Sequence, residues 1–361
     1  MSKPAKEPLF HIVKRPAMPL RQSILIRAAA IIAAMLVCAG LVYILAEINP
    51  IEFYKALFDG AFGSTRRRWL LLYKLAILLG IALALTPAFK MRFWNIGGEG
   101  QVLVGGLATA ACMFYLGGKV PLPVLYICMI VAAVLAGIIW GIIPALFKAQ
   151  WNTNETLFTL MMNYIAILLV RFFINTWVKS GSGTLAPMYD YGLPTLHNDW
   201  LLNILVIAAM TIFVYVYLKF SKHGYELAVV GESSNTARYI GINVKKVIIR
   251  TMILSGALCG IIGLLLVGGN DYTVSESTAG GQGFTAIIVS WLAKFDPLIM
   301  ILSSFLVIFL EVGARQVSTT FGVNDSITNI ITGIIIFFII GCEFFINYRI
   351  MFRHTAKEEN K

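Results

Sequence analysis

An all-α, polytopic transmembrane bundle is the fold class this sequence predicts, and three observations predict it. Hydrophobic residues fill 58% of the 361 positions and charged residues 13%, and the mean hydropathy of +0.80 lies far above that of a soluble domain. Apolar runs of about 20 residues recur along the whole chain, the length at which a helix rising ~1.5 Å per residue crosses a hydrocarbon core of ~30 Å. Lys and Arg collect in short loops flanking those runs rather than in one basic domain. The net charge of +11 therefore reads as membrane topology and not as a nucleic-acid surface.

Taken in order, runs bounded by charge, Gly, Pro or Asn give about ten spans, near 23–45, 69–89, 101–117, 122–147, 155–177, 201–219, 250–269, 284–293, 297–312 and 327–346. The first run is too long for the apolar core of a signal peptide. Met35-Leu36-Val37-Cys38 lacks the small residue that lipoprotein cleavage requires, so this run is expected to be a signal anchor and first span. Pro50 to Phe62 reads as an interfacial helix. The eighth run is too short to cross as a straight helix and is expected to be broken or partly re-entrant, which the bilayer tolerates only where protein or a watery cavity surrounds it. The expected organisation is a basic tail (1–22), a transmembrane domain (23–346) with an outside loop at 178–200 and an inside loop at 220–249, and a second tail (347–361).

With the N-terminus placed in the cytoplasm, nineteen Lys and Arg fall in inside segments and seven outside, which orients both termini inward. Inside are Lys3, Lys6, Lys14, Arg15, Arg21, Lys90, Arg92, Lys148, Lys219, Lys222, Arg238, Lys245, Lys246, Arg250, Lys294, Arg349, Arg353, Lys357 and Lys361. Outside are Lys55, Arg66, Arg67, Arg68, Lys119, Lys179 and Arg315, of which Arg66 to Arg68 suit lipid headgroups. Lys74, Arg171, Glu311 and Glu343 lie towards span ends and are expected to snorkel. Cys38, Cys112, Cys128, Cys259 and Cys342 are scattered through apolar runs without metal-ligand spacing and read as packing residues.

Two glycine-rich interruptions, Gly97-Gly98-Glu99-Gly100 and Gly280-Gly281-Gln282-Gly283, follow the second and seventh spans and fall on opposite sides of the membrane. Breaks at corresponding places are what an inverted repeat leaves, spans 2–5 matching spans 7–10. Coincidence in a chain with 31 glycines is the other reading. Gly137 with Gly141, and Gly256 with Gly260, form GxxxG pairs that permit close helix approach.

The inside loop, Lys222 to Asn243, contains a Ser/Asn cluster and then Gly241, which predicts a short helix from about Asn235 to Ile240 between glycine hinges. So short a helix is marginal in water and is expected to form against a partner. Asn95, Glu99 and Gln101 supply polar groups at the first glycine break. Two roles fit Glu99: a pathway carboxylate near membrane depth, or a cap at the start of the third span. Asn154 can cap the fifth span, and Thr156, Thr159 and Asn163 share one of its faces, fit either to line a channel or to join helices.

Three of these stretches carry a resemblance. Gly224, Val229-Val230-Gly231-Glu232 and Ala237-Arg238-Tyr239-Ile240-Gly241-Ile242 resemble the coupling segment of bacterial ABC importer permeases of the ribose, nucleoside and branched-chain amino acid group, with Val where Ala is common. Phe93 to Gln101 resembles the group's Phe-Asn-Ile-Gly-x-Glu-Gly-Gln, with Trp94 as a departure, and Asn154 to Ala166 is similar to the nucleoside branch. The resemblance covers about residues 50 to 345. It implies an importer permease for a nucleoside or similar small polar solute, with simple sugars or a flavin as variants. It also implies that Gly224, Glu226, Gly231, Glu232, Ala237, Arg238, Tyr239 and Gly241 engage a partner ATPase, and that Asn95, Glu99, Gln101, Thr156, Thr159 and Asn163 belong to the substrate pathway. The partners implied are that ABC ATPase, a second permease subunit, an extracellular substrate-binding lipoprotein and the bilayer.

The chain has no HExxH, GxSxG, GxxxxGK[ST] or paired-carboxylate motif, so it is expected not to be an enzyme. No cofactor is expected in this chain, with ATP and magnesium held by the ATPase. The alternative is an ion-coupled secondary transporter, for which Glu99 is the candidate coupling acid.

Overall fold

The computed structural model describes residues 10–15, 18–178 and 184–352. In chain order the elements are β1 (Phe10–Lys14), α1 (Leu20–Ala46), α2 (Pro50–Phe62), α3 (Thr65–Lys90), α4 (Gly98–Leu116), α5 (Leu122–Trp151), α6 (Glu155–Trp177), α7 (Leu201–Phe220), α8 (Lys222–Glu232), α9 (Ser234–Tyr239), α10 (Val244–Leu266), α11 (Gln282–Leu292), α12 (Pro297–Phe321), α13 (Asp325–Asn347) and β2 (Tyr348–Phe352). Nine helices among the described residues are long and apolar enough to cross a membrane, and α11 is the short apolar one. Each expected span is a helix, and the eighth is the one too short to cross.

The chain forms two compact units, Met1–Ser64 with Phe309–Lys361, and Thr65–Ile308. In the first, α1 packs on α13, where the Arg27 Nε donates to Glu343 at 2.9 Å. Asn49 caps α2 by accepting from the Ile51 N–H, with Pro50 in the first turn where its missing N–H costs nothing. In the two tails, β1 and β2 pair antiparallel from Phe10 opposite Phe352 to Lys14 opposite Tyr348. Lys3, Lys6, Lys179, Arg353, Lys357 and Lys361 lie outside the described residues.

In the second unit α3 is buried along most of its length between α7, α10 and α11, which is why its sequence is apolar on every face. The two GxxxG pairs meet each other. A Cβ on Gly256 would come 2.3 Å from the Gly137 carbonyl oxygen, and one on Gly260 would come 2.2 Å from that of Ala133. Only residues without a side chain let α5 and α10 approach so closely. α10 ends in a π-helical turn, Val267–Asp271, on which the 178–200 loop is anchored by the Leu193 N–H donating to Gly268 O at 2.7 Å and the Met188 N–H to Tyr272 O at 2.7 Å.

One expectation is corrected. The segment 222–232 is the helix α8 rather than a linker, and Gly224 and Gly231 lie inside it, so they are not hinges. They are contact points: a Cβ on Gly224 would come 2.4 Å from Tyr217 O, and one on Gly231 would come 2.1 Å from Lys90 O. Arg171, Glu311 and Glu343 each have an ion partner, Glu276, Arg315 and Arg27 respectively.

Candidate functional site

The site grows from the two glycine breaks. α3 stops at Lys90, and Arg92 takes φ +59, which turns the chain back so that Phe93 to Gly97 runs into the interior before α4 begins at Gly98. Backbone freed in this way must find partners where there is little water, and polar side chains provide them. Asn95 Oδ1 accepts from the Gly97 N–H at 3.0 Å, and Thr159 Oγ1 accepts from the Ile96 N–H at 3.1 Å. Asn163, one turn further along α6, accepts from the Gly100 N–H at 2.8 Å and donates to Ile96 O at 2.9 Å. Asn95 Nδ2 donates to Gln101 Oε1 and Ser255 Oγ, each at 3.4 Å.

The second break follows α10. Gly280 and Gly281 take φ +59 and +75, and α11 then begins at Gln282. Here the breaks meet, which corrects the expectation that they lie on opposite sides of the membrane. Glu99 Oε1 accepts from the Gly281 N–H at 2.7 Å, and Oε2 accepts from the Gly283 N–H at 2.8 Å. Glu99 is therefore a cap, as one of its two expected roles has it, but for α11 instead of its own helix. A Cβ on Gly283 would come 2.5 Å from the Glu99 nitrogen, so the span α4 and the short helix α11 abut at their N-termini.

Asn95, Glu99, Gln101, Thr159 and Asn163 are thus brought together and buried. Thr156 is only half-buried and joins through its carbonyl, which accepts from Thr159. Gly281, Gly283 and Ser255 were not singled out as partners by sequence reasoning; the repeat reading was the signal available, since it pairs the two glycine breaks.

A second surface is built by α8 and α9. Ser233 Oγ accepts from the Thr236 N–H at 3.2 Å and starts α9. Gly241, at φ +82, ends it, with the Ile242 N–H donating back to Ala237 O at 2.9 Å. Ala237 points inward, while Arg238 and Tyr239 point out, the latter 91% exposed. Glu232 is exposed at the end of α8. Behind these helices lies a cavity of ≈310 Å³ lined in part by Arg92, Lys148, Glu155, Glu232 and Ser233, with Lys148 paired to Glu155 at 2.8 Å.

Glu226 ties α8 to α10 by accepting from Arg250 Nη2 at 2.8 Å. That hydrogen bond from the Arg250 guanidinium holds its carboxyl below the usual glutamate range. A carboxyl with a lowered folded pKa contributes stability that is fully present above its unfolded value of about 4.3 and is lost as the pH falls through the lowered one. The melting difference between wild type and Arg250→Gln is thus expected to be flat above that pH and to vanish below it. It should amount to about 1 kcal/mol or less for this part-exposed pair; a difference that grows on acidification would refute the assignment.

Residues 69–340 match the family described as branched-chain amino acid transport system / permease component. The chain is similar to the glucose ABC transporter permease protein TsgB13 of Haloferax volcanii, 28% identical over 88% of each chain. It is also similar to the guanosine ABC transporter permease protein NupP of Bacillus subtilis, 29% identical over 84% of this chain and 89% of that one. A third relative is the nucleoside ABC transporter permease protein NupB of Lactococcus lactis, 28% identical over 81% of this chain and 84% of that one.

Proposed function

The chain belongs to the branched-chain amino acid transport system / permease component family, and from that premise we propose that it is the membrane-spanning subunit of an ATP-driven importer of a nucleoside or simple sugar. The observation that carries the coupling to ATP is α9, a helix of six residues closed at both ends by its own neighbours and turning Arg238 and Tyr239 outward. So short a helix, held out from the bundle, suits insertion into a partner's cleft. Gly224, Glu226, Gly231, Ala237 and Gly241 hold α8 and α9 in that posture, and Glu232 adds an exposed carboxylate beside them. Displacement of α8 would pass through the close contact between Gly231 and Lys90 to the re-entrant stretch 91–97 and so to Asn95 and Glu99.

The partners in this reading are a separate ATPase that carries ATP and magnesium, a second permease subunit and an external binding lipoprotein. Two of the similar proteins are named for nucleosides and one for glucose, which sets the solutes to test first. An ion-coupled carrier would need an acid free to take up an ion, and both oxygens of Glu99 are occupied by N–H groups. In proteoliposomes holding the permease with its ATPase and binding protein, uptake of labelled guanosine or glucose is expected to need internal or external ATP on the ATPase side and to survive ionophores. Uptake that ignores ATP and collapses with the proton or sodium gradient would establish the carrier instead.

A further inference from the structure

We propose that Glu99 is a positioning residue that clasps α4 and α11 together at their N-termini, and that release of α11 from its carboxylate opens the path for solute, an inference that rests on the permease reading above. The first four N–H groups of each helix have no intrahelical partner, and the aligned peptide dipoles leave partial positive charge at that end. Two such ends in contact repel one another. The Glu99 carboxylate lies between them and takes the Gly281 and Gly283 N–H groups at 2.7 and 2.8 Å. Hydrogen bonds to a buried carboxylate are charge-assisted and strong, yet this clasp is a single side chain.

The two sides of the clasp are held very differently. On the α4 side the backbone is fixed from α6 by Thr159 and Asn163 and from within by Asn95. On the α11 side the helix is held to α3 by Ser290 Oγ donating to Ala82 O at 3.2 Å, and its two ends are sharp backbone bends. Gly280 and Gly281 both lie in the left-handed region, and a Cβ added to Gly281 would meet nothing within 4 Å. At the far end Lys294 and Phe295 take φ +51 and +60, an unusual conformation for residues with side chains. An 11-residue rod between two such bends can tilt as a body. Beside the clasp, the buried Gln282 Oε1 makes no hydrogen bond. α4 is the fixed jaw and α11 the moving one.

Hydrogen exchange on the intact permease–ATPase complex reads the clasp directly at the Gly281 and Gly283 amides. Glu99→Gln keeps the shape but turns an NH2 group towards one of those N–H donors. Exchange over 278–286 is expected to rise about tenfold, the cost of one charge-assisted bond, while α4, α5 and α10 stay protected. Adding ATP and magnesium to the wild type is expected to raise exchange at the same amides. In the variant, ATP hydrolysis without solute should rise and uptake should fall. Unchanged exchange at 281–283 with lost uptake would overturn the clasp and point to Glu99 contacting solute. A rise spread equally over α4, α5 and α10 would overturn it in favour of a role in folding alone, as would wild-type uptake in Glu99→Gln. If the wild-type complex shows no ATP-dependent uptake, it is the permease reading that fails, and the exchange pattern still tests whether Glu99 holds α11.

Discussion

Replacing α9, Ser234–Tyr239, with a Gly/Ser linker of equal length is expected to bring ATP-driven uptake down to background while leaving the protein inserted, folded and able to bind solute-loaded binding protein. The helix contributes little to its own unit, since Ala237 is its one buried residue, so its loss should leave the melting temperature nearly unchanged. What is lost is the exposed surface of Arg238 and Tyr239, through which, on the function proposed above, closure of the ATPase would reach α8. A Gly/Ser segment samples many conformations and transmits no displacement. ATP hydrolysis by the partner should persist and become independent of solute. Normal uptake in this variant would remove the docking role from α9 altogether; a single Tyr239→Ala change, which keeps the helix, is expected to show a weaker form of the same defect.

Gly256→Val is expected to prevent folding of the second unit. Its Cβ would come 2.3 Å from the Gly137 carbonyl oxygen, with the Ile138 Cα at 3.2 Å. Those neighbours are backbone in a helix that is itself wedged, and backbone cannot rotate away as a side-chain tip can. Separation of α5 from α10 is the remaining response, and it opens the most extensive helix contact of the unit. The destabilisation is expected to reach on the order of 3 kcal/mol or more, seen as loss of the monodisperse peak in detergent chromatography. Gly341→Val is the matched control, because nothing lies within 4 Å of a Cβ there. A Gly256→Val protein that melts like wild type would show that α5 and α10 are not in this register.

The sequence carried the architecture because its signals are local. Apolar run length located the ten spans and singled out the eighth, and Asn49, Asn154 and Ser233 sit at N-caps because short polar side chains reach the free N–H groups of the next turn. The short helix α9 was legible for the same reason, a cap before it and Gly241 after it. α8 was missed because its apolar face, Leu227 and Val230, is short, and its glycines read as breaks when considered without the helices they touch. The strand pair of the tails was missed because its two halves stand at opposite ends of the chain.

The site divides along the same line. By itself the sequence determined that polar groups gather at two glycine breaks, since residue type and spacing are written in the chain. Only the tertiary structure decided what they do. The Glu99 carboxylate serves neither its own helix nor open space but the Gly281 and Gly283 amides, 182 and 184 residues away, while Asn163 and Thr159 hold backbone that would otherwise lack partners. Pairing over such distances leaves no periodicity to read. It is set by which broken ends the packing of α3, α4, α10 and α11 brings together, and by the need of every exposed N–H in a dry interior to find an acceptor.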